Sequence, residues 1–306
     1  SLFQWFLLLM PNKNILCFGT HSLNMLSETL SILKNKKLVD LKFRKILELL
    51  FLIVLINKKK AILTAGNTNQ KKFLISIGFP KERLAFIPFA ISHHIKNDYR
   101  MKLKSLDNSF IEITIPGIYS QERRDYIGFI EYLEKSNILT EFNKLKFNFL
   151  GAPPKSNSAF KKGKCFQIIN MLEKISNKYP YQISYFNSFV TDDIYMKILF
   201  KTNFIISPAV EIFRGKDRYG ISKDTGCFYD ALSSLTPLFV PNHLPIPDEF
   251  SDFVFHYDSF NDFFEFVKDS KVSNSLFNKQ LLDDFKNLNK KFYSYENLIN
   301  LNSFLL

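Results

Sequence analysis

Cysteine is scarce in this chain: three residues in 306, at Cys17, Cys165 and Cys227. They are odd in number, far apart and never in a CxxC pair, which argues against a disulfide framework or a thiolate zinc site and fits a reducing cytoplasm. Histidine is nearly as rare. The five histidines, at positions 21, 93, 94, 243 and 256, form no HExxH pattern, and His93-His94 reads as loop rather than as a ligand pair. Long apolar runs are missing too. Residues 3–10 are too few to span a bilayer, and residues 46–56 carry Glu48 inside a run well short of the roughly twenty apolar residues that a spanning helix needs. Residues 1–10 lack the basic start and small-residue cleavage site of a secretory signal. Acidic residues are outnumbered, 29 against 41 Lys and Arg, for a formal charge of +12. Such a surplus suits nucleic acid, an anionic membrane surface or a phosphorylated substrate. The lysine pairs at 36–37, 71–72 and 161–162 and the triplet at 58–60 are not interleaved with an RNA-binding aromatic motif, so a nucleic-acid partner is not expected.

What is present is apolar bulk: 46% hydrophobic residues, enough to fill the cores of two domains in a chain of 306. The 34 Phe reflect a compositional bias, and none is singled out as a stacking platform. The most informative stretch is Tyr219-Gly220-Ile221-Ser222-Lys223-Asp224-Thr225-Gly226 and the fifteen residues after it. It reads as a glycine-containing loop, a helix beginning near Asp224 and a buried strand from Leu238. A helix start presents unpaired N–H groups and a positive dipole end, to which Lys223 adds charge and Thr225 a hydroxyl, so the segment can cradle a diphosphate. The same residue types also make ordinary N-caps and turns, and that reading stays open.

Strand and helix patterns alternate through the first hundred residues: strands at 14–18 and 61–64, helices at 41–56 and 69–77, the last ending at Gly78. Residues 46–56, flanked by basic residues, are either a buried core helix or one that docks on an anionic surface. A polar stretch at 93–109 reads as a linker. Beyond it come strands at 111–115, 146–150, 182–186, 203–207 and from 238, with an edge strand at 253–256. Helices are expected at 123–135, 165–178, 191–200 and 260–268. Serial βα units of this kind predict a doubly wound parallel sheet, with ligands at the carboxyl ends of its strands. The loops after Gly117, Gly151, Ser207 and Gly220 therefore matter most.

Three segments resemble the nucleotide-sugar-binding domain of GT-B-fold glycosyltransferases. Ile115-Pro116-Gly117 through Arg123-Arg124-Asp125-Tyr126 is similar to the strand, loop and helix that open that domain. Asp230 to Val240 is similar to the family's EAMACGTPVVA segment, and Phe204 to Pro208 with Glu211 to the strand and loop before the donor site. Residues 61–91 resemble the end of the acceptor domain, where a strand and a helix lead into a segment that here reads Gly78 to Ile91. The chain departs from the commonest retaining pattern of two glutamates eight residues apart, since position 218 is Arg and position 226 is Gly.

The resemblance implies an α/β fold of two Rossmann-like doubly wound domains, the N-terminal one incomplete. Its expected division is 1–92 (acceptor side), 93–109 (linker), 110–270 (nucleotide-sugar binding) and 271–306 (helical tail). Because a full acceptor domain needs roughly 150 residues and the chain opens on Ser, its first strands are expected to be missing or reduced. The implied activity is sugar transfer, of hexosyltransferase type, from a nucleotide-diphosphate sugar to a saccharide or lipid-linked saccharide in surface polysaccharide or glycan synthesis. It would act in the cytoplasm or peripherally at the inner membrane face, with no cofactor and no metal. In that reading Arg123, or Arg124, and Lys223 face diphosphate charge. Gly117, Tyr219, Gly220, Ser222, Thr225 and Gly226 shape the site and offer backbone contacts, and Asp230 meets the ribose. His21 and Glu211 are the candidate catalytic residues, each also readable as structural. A second reading keeps the fold and drops the turnover, leaving a module that binds a nucleotide or a partner.

Overall fold

The computed structural model describes residues 16–19, 61–86, 110–154, 163–213 and 217–269. The stretches expected as a linker (93–109), a helical tail (271–306) and the helix at 41–56 lie outside them, as does His21. Two parallel sheets organise the described residues. A three-stranded sheet runs in the order β1 (Leu16–Gly19), β2 (Ala61–Ala65), β3 (Leu84–Phe86), with helix α1 (Thr68–Ser76) following β2. Its third strand was not expected from the sequence. Asn67 caps α1 by accepting from Gln70 N, and Gly78, at φ +99°, turns the chain out of it.

The larger sheet contains β4 (Ile111–Pro116), β5 (Leu145–Leu150), β6 (Ile183–Tyr185), β7 (Phe204–Ile206), β10 (Leu238–Pro241) and β11 (Val254–Tyr257). Their spatial order is β11-β10-β7-β4-β5-β6, and every neighbouring pair is parallel. The chain thus lays down three strands toward one edge, returns to the far side of β4, and lays down three toward the other. This is the doubly wound order, with its crossing point between β4 and β7. Helices α2 (Tyr126–Lys135), α4 (Cys165–Lys178) and α7 (Phe260–Lys268) are assigned to one core, and α5 (Asp192–Lys201) and α6 (Cys227–Ser234) to another; α3 (Ile138–Glu141) is a single turn. Between β7 and α6 sits a short antiparallel hairpin, β8 (Ile212–Phe213) with β9 (Asp217–Arg218).

Side-chain alternation explains why the central strands read as continuous apolar runs. Phe204 and Ile206 of β7 enter one core and Ile205 the other; in β10, Phe239 faces the first core and Leu238 and Val240 the second. Covered on both faces, such strands have no polar side to show. The first core is built largely of phenylalanine: Phe129 packs edge-on against Phe147 and Phe260, and stacks with Phe264. The terminal helix is fixed by a capping box, Ser259 Oγ accepting from Asp262 N while the Asp262 carboxylate accepts from Ser259 N.

Polar contacts join α1 to the large unit. Glu249 accepts from Thr68 N at 2.9 Å and Thr68 Oγ1 at 2.6 Å, Asn69 Nδ2 donates to Pro245 O at 3.3 Å, and Lys72 pairs with Asp248 at 2.9 Å. Tyr229 Oη on α6 completes this seam at Gly66 O, 3.0 Å away. Among the described residues no helix is long and apolar enough to cross a membrane. Because Phe129 is fully buried at the meeting of five aromatic rings, Phe129→Ala is expected to cost about 3–5 kcal/mol in urea unfolding, while Ile118→Ala, at a 38% exposed position, changes little.

Candidate active site

Three loops meet above the carboxyl ends of β4 and β7. The first leaves β4 at Gly117, whose φ of +111° belongs to the left-handed region that glycine enters without cost. A Cβ there would come within 2.5 Å of Arg124 Nη1, so the absence of a side chain is what lets the Arg124 guanidinium lie over the backbone. Tyr126 Oη donates to Gly117 O at 2.9 Å, and Gly117 N donates to Leu150 O at 2.9 Å, fixing the turn from both sides. Arg123 and Arg124 both donate backbone N–H to Ser120 O, which makes 120–124 a compact turn. Here the structure corrects one expectation: Arg123 stands in this loop and not on the helix, which begins at Tyr126 behind the cap of Asp125 on Gly128 N.

The second loop follows β7 and is stitched to the first. Asp125 N donates to Pro208 O at 2.7 Å, Val210 N to Arg123 O at 3.1 Å, and Arg124 bridges Ala209. The third loop, 219–226, folds on itself. Arg218 O accepts from the N–H groups of Ile221, Ser222 and Lys223, and Gly220 N donates to Lys223 O at 2.9 Å. A second correction falls here: α6 starts at Cys227, not near Asp224, whose carboxylate instead accepts from Thr225 N and meets Tyr229 Oη.

Arg123 and Lys223, a hundred positions apart, converge on one ring. Arg123 Cζ and Lys223 Nζ each lie 5.1 Å from the centroid of buried Phe213. Cation–π contact accounts for their place on the ring, and two like charges drawn to one spot favour an anion beside them. Arg124 stands close by, always charged as a guanidinium, with its Nε buried and without a hydrogen-bond partner. Tyr219, 6% exposed, has its ring 5.9 Å from Phe213 and lies within the electrostatic reach of both arginines.

Asp230 sits in the first turn of α6 and accepts from Tyr195 Oη of α5 at 3.0 Å. Burial raises its carboxyl to about 6, while the Tyr195 hydrogen bond and the Arg124 charge pull it back down. Gly226 is exposed at the N-cap of α6. The remaining candidates are placed differently. Ser222, 1% exposed, accepts from Arg218 N at 3.0 Å, and Thr225, 4% exposed, contacts Cys227 Sγ, so both hydroxyls serve the loop itself. Gly220, at φ +76°, sits against Pro245 O. Glu211 is exposed and paired with Arg218 at 2.7 Å, and His21 lies outside the described residues. Reading the sequence missed Phe213 and Tyr195, and it took Asp224 for a helix start and gave Tyr229 no role; only their partners in space mark the parts they play. Among the described residues no cluster of three His, Cys, Asp or Glu is arranged to hold a metal.

No family model matches the sequence, and no curated protein does. Solved structures are similar. The apo structure of OtsA has a TM-score of 0.59 at 14% identity, covering 99% of this chain and 75% of that one. A UDP-forming α,α-trehalose-phosphate synthase from Burkholderia xenovorans has a TM-score of 0.60 at 8% identity, covering 96% and 68%. Anabaena HepE, in complex with UDP and glucose, has a TM-score of 0.56 at 8% identity, covering 95% and 71%. These likenesses establish the fold: the chain is built as GT-B glycosyltransferases are.

Gly117→Ala tests the local geometry. Its positive φ and the crowding against Arg124 are expected to cost roughly 1–2 kcal/mol in chemical denaturation, where an unchanged midpoint would contradict the close approach drawn here.

Proposed function

Starting from that fold, we propose that the chain transfers a sugar from a nucleotide-diphosphate sugar to a saccharide or lipid-linked saccharide, using the 117–125, 207–213 and 219–226 loops as its donor site. The observation that carries the reading is the convergence of Arg123 and Lys223 on Phe213, beside Arg124 over Gly117. When the bond from the anomeric carbon to the diphosphate oxygen breaks, negative charge grows on the leaving group. Cations already held in place stabilise that charge without moving, and they do so more strongly where water is excluded. Arg123 and Lys223 supply charge, Arg124 adds a buried N–H donor, and the exposed start of α6 at Gly226 offers backbone N–H groups. Asp230, held by Tyr195, is the residue this reading assigns to the ribose hydroxyls. In this reading the diphosphate is held by side chains and a helix terminus, with no metal required. The HepE structure was obtained with UDP and glucose, which makes UDP the first nucleotide to test. The basic flanks of residues 46–56 suit an acceptor carried at an anionic membrane surface, on the cytoplasmic side.

Titration calorimetry with UDP, ADP and GDP checks the donor site. Each of Arg123→Ala and Lys223→Ala is expected to weaken the preferred nucleotide by about tenfold or more, the worth of one charge-assisted hydrogen bond, while leaving the free nucleoside unaffected. If no nucleoside diphosphate binds, the assignment fails. Release of nucleoside diphosphate on adding saccharide acceptors then separates transfer from binding without turnover.

A further inference from the structure

Tyr229 Oη lies 3.0 Å from Gly66 O and 2.8 Å from Asp224 Oδ2. Both neighbours are acceptors when Asp224 is ionised, yet a phenol carries one hydrogen. Among the described residues Tyr229 Oη is the donor that reaches Gly66 O, and Gly66 is buried, so this carbonyl loses its partner whenever the phenol turns to the carboxylate. One extra proton resolves the conflict. We propose that Asp224 is a positioning residue that works in its protonated form: its hydrogen goes to Tyr229 Oη, the Tyr229 hydrogen goes to Gly66 O, and the chain ties the 219–226 loop to the start of α1. The tie acts through geometry on Lys223 and Gly226, the two neighbours of Asp224 and Thr225 that the donor reading uses, but its existence does not depend on that reading.

The surroundings agree. Burial raises the Asp224 carboxyl to about 6, against the opposing pull of its hydrogen bonds from Tyr229 and Thr225 N, and the nearby Glu249 charge pushes in the same direction as burial. Each element packed here brings its own ionisable groups. Tyr229 comes from α6, Glu249 and Asp248 from the turn 248–250, and Lys72, paired with Asp248, from α1; Asn67 adds a neutral amide. The sign follows from the raised carboxyl. Well below the ordinary range of an aspartate the proton is present folded and unfolded alike, and the tie is complete. As pH rises through about 6 the folded state must give up that proton, and the tie is lost.

Amide hydrogen exchange on the full chain, corrected for the intrinsic pH dependence of exchange, tests this without any nucleotide. Protection of segments 66–76 and 219–230 is expected to fall about tenfold between about pH 5 and pH 8, as one buried hydrogen bond is lost. Asp224→Asn, whose amide can still donate to Tyr229, is expected to hold its protection across that range, and Tyr229→Phe to be weakly protected throughout. A flat wild-type profile overturns the proposal. So does an Asp224→Asn profile that falls as the wild type does, since the titrating group would then not be Asp224. Should a variant fail to fold, the wild-type profile decides alone.

Discussion

Between β4 and β7 the connections of the sheet part in opposite directions, and this leaves the carboxyl ends of those two strands free of any helix crossing directly over both. Everything that gathers at the candidate site depends on that gap. The turn at Gly117 can rise there only because it lacks a side chain, and its backbone then takes the Arg124 guanidinium at a separation that a methyl group would forbid. The loop after β7 is tied to it by backbone hydrogen bonds at Pro208 and Val210, so the two loops behave as one platform. On that platform Phe213 receives a cation from each side of the chain, Arg123 from before it and Lys223 from after.

Charge in this site is balanced by enclosure. Arg123, Arg124 and Lys223 bring positive charge, and two carboxyl groups, Asp224 in the third loop and Asp230 in the first turn of α6, are both raised to about 6 by burial. Near neutrality each carboxylate is therefore costly to keep charged, and each is held by a tyrosine: Tyr229 for Asp224 and Tyr195 for Asp230. The two tyrosines lie on different helices and take different parts. Tyr195 holds Asp230 from α5, while Tyr229 connects the loop to α1 across the seam at Gly66.

Most of the fold was legible in the sequence because its strands are buried on both faces and its helices are amphipathic. Cys165–Lys178 and Phe260–Lys268 fall where their periodicity put them, and the edge position of Val254–Tyr257 follows from its place last in the series. The hairpin of β8 and β9 escaped notice, since strands of two residues carry no period. The start of α6 was misplaced because Asp224 resembles an N-cap in sequence, whereas in space its carboxylate turns to Tyr229. The arginines at 123 and 124 were legible as a basic pair after a glycine turn. Phe213, on which Arg123 and Lys223 converge, was hidden among 34 phenylalanines.

The central claim is that the three cations and the start of α6 enclose a diphosphate. A crystal structure of the full chain with UDP addresses it most directly. The account predicts the diphosphate within hydrogen-bond distance of Arg123, Lys223 and Arg124 Nε, with the ribose beside Asp230. Diphosphate density elsewhere on the molecule, with these three side chains left as they stand, would contradict it.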